Sequence, residues 1–167
     1  MKVILAKKAG FCMGVRRAVE MVLDTLRTGQ GEIATFGPLI HNPQVLKLLE
    51  KRRVTILTKI PEQPISATIV IRAHGVPPAQ KDRLKAYSAQ VVDATCPRVI
   101  KVQAIIRKYN RQGYSTVIIG DKNHAEVEGL IGYAEPRGVV VSNEEDISRL
   151  IISPPTGLPP LASVNWR

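Results

Sequence analysis

Aromatic side chains make up only 4% of this 167-residue chain, and it holds just two cysteines. So few aromatics argue against the stacking platforms that hold single-stranded nucleic acid. No apolar run approaches the roughly 18 residues that a membrane span needs, so no membrane partner is expected. The opening Met1-Lys2 and the short apolar stretch behind it are too brief for a signal peptide, and a cytoplasmic protein is expected. In such a reducing compartment two cysteines serve as ligands, nucleophiles or core residues rather than as a disulfide. Acidic residues are also in deficit, 14 against 24 Lys and Arg, for a net charge of +10. That balance calls for an anionic partner. Charge is the only feature favouring nucleic acid, and the basic residues form no tail, so none is expected as a partner.

What is present is an alternation. The apolar Val3–Ala6 reads as a strand that runs into the turn Ala9-Gly10-Phe11-Cys12-Met13-Gly14. Val15, Ala18, Val19, Val22, Leu23 and Leu26 then recur at helical spacing, with Gly29 and Gly31 as the stop. Glu32–Gly37 reads as a strand, and Asn42-Pro43 as a helix start. Strands are expected at 54–57 and 67–73, a helix from Pro77-Pro78, and a strand at 90–94. A helix from Pro97 carries Val99, Val102, Ile105, Ile106 and Tyr109 on its expected inner face. Tyr114–Gly120 reads as a strand, followed by a short helix, a strand at 138–141 and an acidic helix capped by Ser142. Strands alternating with helices imply an α/β fold with mostly parallel small sheets. Residues 67–74 and 115–124 echo each other as strand, turn and histidine, which hints at two lobes of similar build.

Cys12, His41, His74, Cys96 and His124 all follow an expected strand and stand at or just before a helix start. Ligands of open α/β sheets bind beyond the carboxyl ends of strands, where helix N-termini collect anions. Taken singly, each residue has a plain structural reading. A free cysteine is usually a small core residue, a histidine at a strand end usually caps or hydrogen-bonds, and Glu126 and Glu128 suit the first turn of any helix. Together they suggest one convergent site. Zinc sites favour close ligand pairs, which are lacking here. A Cys–His hydrolase lacks an evident oxyanion turn. Cysteines brought from distant loops suit an iron–sulfur cluster.

The segments Ala9-Gly10-Phe11-Cys12-x-Gly14-Val15, His41-Asn42, Ala73-His74-Gly75-Val76, Asp93-Ala94-Thr95-Cys96-Pro97 and His124-x-Glu126-Val127-Glu128-Gly129 stand in order. In these the chain resembles the 4-hydroxy-3-methylbut-2-enyl diphosphate reductases over residues 1–150. The resemblance implies a three-lobed α/β fold around a 4Fe-4S cubane cluster, with Cys12 and Cys96 as two of its three cysteine ligands. It implies His41, His74 and His124 as diphosphate-binding residues and Glu126 as the proton source. The reaction implied is reductive dehydroxylation to isopentenyl and dimethylallyl diphosphate, the last step of the methylerythritol phosphate route to isoprenoids. A ferredoxin or flavodoxin type electron donor is implied, and the net charge suits an acidic one.

The third cysteine and third lobe of that family have no counterpart in this sequence, so the chain is expected to be truncated. Expected domains are 1–13 (a strand and turn that pack with the third lobe in the family), 14–96 as a first lobe, 97–150 as an incomplete second lobe, and 151–167 as an irregular Pro-rich tail. The alternative is a non-catalytic two-lobe fragment that binds a diphosphate ligand or a protein partner.

Overall fold

The computed structural model describes residues 3–4, 9–29, 31–148 and 150, together with the backbone of 163–165. Two sheets form among these residues. Helix α1 (Met13–Thr28) precedes β1 (Ile33–Phe36), α2 (Pro43–Lys51), β2 (Val54–Leu57), β3 (Ile65–Ile71), α3 (Pro78–Tyr87) and β4 (Ser88–Asp93). These strands lie in the order β2-β1-β3-β4, all parallel. The second sheet follows α4 (Pro97–Arg111) and comprises β5 (Thr116–Ile119), β6 (Gly138–Val141) and β7 (Ser163–Asn165), with α5 (Ala125–Ala134) between β5 and β6 and α6 (Glu144–Ser148) after β6. Its order is β6-β5-β7, again parallel.

Parallel strands are covered on both faces, which explains the unbroken apolar run of β3. Val70 packs with Ala18, Val22, Val45 and Leu49 of α1 and α2, while Ile69 and Ile71 face Val76 and Leu84 on the opposite side. The stripe expected on α1 is the face it buries, with Ala18 and Val22 fully enclosed. Asn42 caps α2 as its sequence suggests, its Oδ1 accepting from the Val45 N–H at 3.0 Å. The second core gathers Val99 and Ile106 of α4, Ile118 of β5 and Leu130 and Tyr133 of α5.

This strand order creates the crevice. From β1 the chain moves outward to β2, then returns past β1 to β3 and moves the other way to β4. The gap beyond β1 and β3 is thus a topological switch point, the usual place for a ligand in such a sheet. In the second sheet β5 has the same position, between β6 and β7. His41 and His74 follow β1 and β3, and His124 follows β5.

Four expectations are corrected. Val3 and Ile4 belong to no strand and are 79% and 81% exposed, since a strand needs a ladder partner and none of the described strands pairs with them; Leu5 and Ala6 lie outside the described residues. On α4 the buried residues are Val99, Gln103 and Ile106, whereas Ile105 faces outward. Gln103 completes the 99–103–106 helical spacing, so geometry overrides its polarity. The cap of α6 is Asn143, whose Oδ1 accepts from the Asp146 N–H at 2.9 Å; the Ser142 hydroxyl instead donates to the Gly120 carbonyl. Residues 163–165 run parallel to β5, because a sheet edge recruits backbone and needs no side-chain period. The proline-rich stretch 153–160 lies outside the described residues.

Leu84 is the single buried side chain of α3. Leu84→Ala is therefore expected to lower the unfolding free energy by about 2–5 kcal/mol, read as a shift in the urea midpoint.

Candidate functional site

Backbone hydrogen bonds continue laterally past the ends of the strands. The Ala73 N–H donates to the Leu39 carbonyl at 3.0 Å, and the Cys96 N–H donates to the Ala73 carbonyl at 2.9 Å. The turns after β1, β3 and β4 are thereby held side by side, which sets His41, His74 and Cys96 in lateral sequence. Helix α1 is fastened to the same row. Arg17 Nη1 donates to the Thr95 carbonyl at 3.1 Å. Gly14 lies so close to Cys96 that a Cβ there would stand 2.5 Å from its sulfur. Cys12 and Cys96 are the N-cap residues of α1 and α4, and neither side chain makes a capping bond. Cys12 is exposed and Cys96 half-buried, so neither is an enclosed core cysteine.

The second sheet brings His124. Its Nδ1 caps α5 by accepting from the Glu126 N–H at 3.3 Å, which assigns the proton of a neutral ring to Nε2. Helix α5 reaches the first sheet through its glycines: a Cβ on Gly129 would lie 3.4 Å from the His74 carbonyl, and one on Gly132 only 2.6 Å from Pro77 Cβ. Any larger residue at 132 would push the helix away. As a result the three rings meet, with centroids 4.6 Å apart for His41–His74 and 5.7 Å for each of the pairs with His124. A cleft of about 300 Å³ runs from Phe11 and Val15, beside Cys12, to His41, Asn42 and His74.

Electrostatics separate the roles these groups can take. Burial, reinforced by His41, His124 and Arg72, lowers the pKa of His74 from 6.5 to about 4. Its Nδ1 is buried and has no hydrogen-bond partner. Burial raises the Glu126 carboxyl above the usual range, against a smaller opposing pull from His124. Glu126 thus binds its proton more tightly than an exposed carboxylate does. Burial also penalises charge on Asp93, yet hydrogen bonds from Lys81 and Thr95 outweigh it and hold that carboxyl low. The pair Lys81 Nζ–Asp93 Oδ2 is 2.6 Å long, and Asp93 Oδ1 accepts from the Thr95 N–H at 3.0 Å, fixing the turn that presents Cys96.

A family model described as LytB protein matches residues 3–162. The chain belongs to the LytB family. Relatives in it include the 4-hydroxy-3-methylbut-2-enyl diphosphate reductases of Geobacter sp. strain M21, 43% identical over 150 residues, and of Aquifex aeolicus strain VF5, 40% identical over 156. The matches cover 90% and 89% of this chain but 53% and 52% of those proteins. The chain spans about half the length of the curated relatives it matches. A solved structure of (E)-4-hydroxy-3-methyl-but-2-enyl diphosphate reductase superposes with a TM-score of 0.74 at 39% identity, covering 88% of this chain and 53% of that one. The reductase structure from Plasmodium falciparum gives 0.84 at 31%, covering 95% and 49%. These LytB likenesses agree with the α/β fold of parallel sheets expected from the sequence.

The fold draws His41, His74 and His124 into one cluster, with Glu126 two residues beyond His124 in the first turn of α5. It sets Cys96 against the start of α1, where Cys12 is the cap. Among the described residues no group of three or more His, Cys, Asp or Glu side chains stands close enough to chelate one metal ion. Sequence reasoning passed over Arg72 and left Glu128 as an ordinary first-turn carboxylate. Arg72 Nη2 donates to Glu128 Oε2 at 3.0 Å and so joins the two sheets behind the histidines. The only signal of this was an arginine closing an otherwise apolar strand. No helix among the described residues is long and apolar enough to cross a membrane.

The folded pKa of His74 lies below its unfolded value, so between about pH 6.5 and about 4 the unfolded chain binds a proton that the folded chain refuses. Its contribution to stability is complete above pH 6.5 and is lost as pH falls toward 4. A His74→Asn variant should therefore show a flatter decline of the urea midpoint across that window. The His74 ring signals should also stay in the neutral form down to near pH 4 in an NMR titration.

Proposed function

We propose that this chain is the histidine- and cysteine-bearing half of a 4-hydroxy-3-methylbut-2-enyl diphosphate reductase. The observation that carries the reading is the meeting of three histidine rings, drawn from both sheets, beside two helices that begin at cysteines. Rings separated by 4.6–5.7 Å suit hydrogen bonding to one anion of many oxygens. A diphosphate is such an anion.

The cysteines fit an iron–sulfur cluster in the chemistry of their donors. Both are free, both stand at helix N-termini, and thiolate sulfur is the ligand that such clusters select. Gly14 keeps a Cβ out of the space against the Cys96 sulfur. Cys12 and Cys96 would supply two ligands of a 4Fe-4S cluster, and the chain has no further cysteine to offer. Such a cluster, when bound, supplies electrons and Lewis-acid polarisation of the substrate's C–O bond. In the net reaction that bond gives way to C–H, with two electrons and two protons consumed and water released.

The chain's own residues carry the rest. His74, neutral at working pH, binds the diphosphate as a hydrogen-bonding group without the cost of desolvating a charge. His124 offers its Nε2–H, since Nδ1 is engaged by the Glu126 backbone. His41 supplies the third ring from the turn after β1. Glu126, whose proton affinity burial raises, delivers a proton to carbon or to the departing oxygen. Electrons come from a donor of the ferredoxin or flavodoxin type, an acidic protein matched to the net charge of +10.

Anaerobic reconstitution with iron and sulfide separates the two sets of residues. Cys12→Ser and Cys96→Ser should each abolish the iron that the parent chain retains, while His41→Ala leaves it unchanged. Equal iron in parent and cysteine variants would overturn the ligand assignment. In a full-length reductase carrying these residues, Glu126→Gln should cut kcat by about a hundred-fold or more with iron content unaltered. Turnover at the parent rate would remove Glu126 from the proton-delivery role.

A further inference from the structure

Arg72 follows the last residue of β3 and precedes His74 by two positions. Its side chain is only 13% exposed. Two of its nitrogens are hydrogen-bonded and the third lies against a turn. Nε donates to the Gly75 carbonyl at 3.3 Å, and Nη2 donates to Glu128 at 3.0 Å. Nη1 lies over Gly37, where a Cβ would stand 2.8 Å away. Gly37 has a φ of +74°, a left-handed conformation that other residues adopt at a cost, so the turn after β1 is shaped to leave this space. The carbonyl that pins the Nε belongs to Gly75, next to His74. The guanidinium is therefore fixed against the back of the histidine turns.

Its charge is only partly answered. An arginine keeps its proton throughout the working range. The one carboxylate paired with it among the described residues, Glu128, is 51% exposed and so shares its field with solvent. Burial keeps His74 uncharged at neutral pH, so this ring cannot itself attract an anion by charge.

We propose that Arg72 supplies the fixed positive charge of the anion site framed by His41, His74 and His124, and that Glu128 sets how much of that charge the anion feels. The inference rests on the diphosphate reading of the three histidines. A different role is conceivable for the same pair, a tie that only joins α5 to the first sheet. The two roles differ in sign. Loss of either partner of a tie loosens the site and weakens binding. Loss of Glu128 from a charge source leaves the guanidinium unopposed and strengthens it.

The test is titration of this chain with inorganic diphosphate at neutral pH, following the histidine ring signals by NMR. Arg72→Met should weaken binding about ten-fold, and Arg72→Lys, which keeps the charge, should remain within about three-fold of the parent. Glu128→Gln should tighten binding several-fold. Weakening in both Arg72→Met and Glu128→Gln would make the pair a tie and overturn the inference, as would unchanged affinity in either. Should Arg72→Met fail to fold, Glu128→Gln alone decides, because its side chain is half in solvent and its replacement is nearly isosteric. Parent chain that binds no diphosphate overturns the three-histidine reading and this inference with it. Parent binding with the wrong sign in Glu128→Gln overturns this inference alone.

Discussion

Two backbone hydrogen bonds, Ala73 N–H to the Leu39 carbonyl and Cys96 N–H to the Ala73 carbonyl, hold together everything that gives the site its shape. They extend the ladder of a parallel sheet by one step into the turns, where chains normally diverge. Three turns that would otherwise move separately become one surface. Helix α1 is then docked to that surface through Arg17 and Gly14, and α5 through Gly129 and Gly132. His41, His74 and Cys96 sit just beyond strands of the first sheet, in which Ile69, Val70 and Ile71 are fully buried.

The same arrangement governs the electrostatics. A strongly basic chain suggests protonated histidines as the means of meeting an anion, yet burial keeps His74 neutral and leaves its Nδ1 without a partner. The acid beside the cluster of rings, Glu126, is shifted the other way by the same burial. One physical cause thus favours the uncharged form of both groups, a neutral ring at His74 and a more weakly acidic carboxyl at Glu126. Permanent charge is placed one layer further back, in Arg72, and joined to the second sheet by Glu128.

Much of this was legible in the residues. Strand and helix positions followed from period and from stop signals such as Gly29 and Asn42-Pro43, because those cues act within a few residues of where they stand. The places of His41, His74, Cys96 and His124 beyond strands followed from the alternation of elements, whereas Cys12 follows no described strand and shares with Cys96 only its place at a helix start. Other features were hidden. Gln103 is buried because its helix is turned toward Gly75, where a Cβ would stand 2.6 Å from its amide nitrogen; nothing local distinguishes it from a solvent-facing glutamine. Ile105 is exposed for the same reason in reverse. Asn143 prevailed over Ser142 as a cap because the Ser142 hydroxyl is taken by Gly120, a contact across 22 positions. The pair formed by Arg72 and Glu128 spans 56 positions and left no pattern that a reading along the chain detects.

By itself the sequence determined the alternation of strands and helices, the parallel character of the sheets and the place of His41, His74, Cys96 and His124 just beyond strands. These depend on local periodicity and on turn chemistry, which act over a few residues. Only the tertiary structure decided that the histidine of the second sheet meets the two of the first, that burial lowers the pKa of His74 and raises that of Glu126, and that Arg72 stands beside the turn that carries His74. Those are properties of burial and of close approach between segments far apart in the chain, and they come into being only when the two sheets pack.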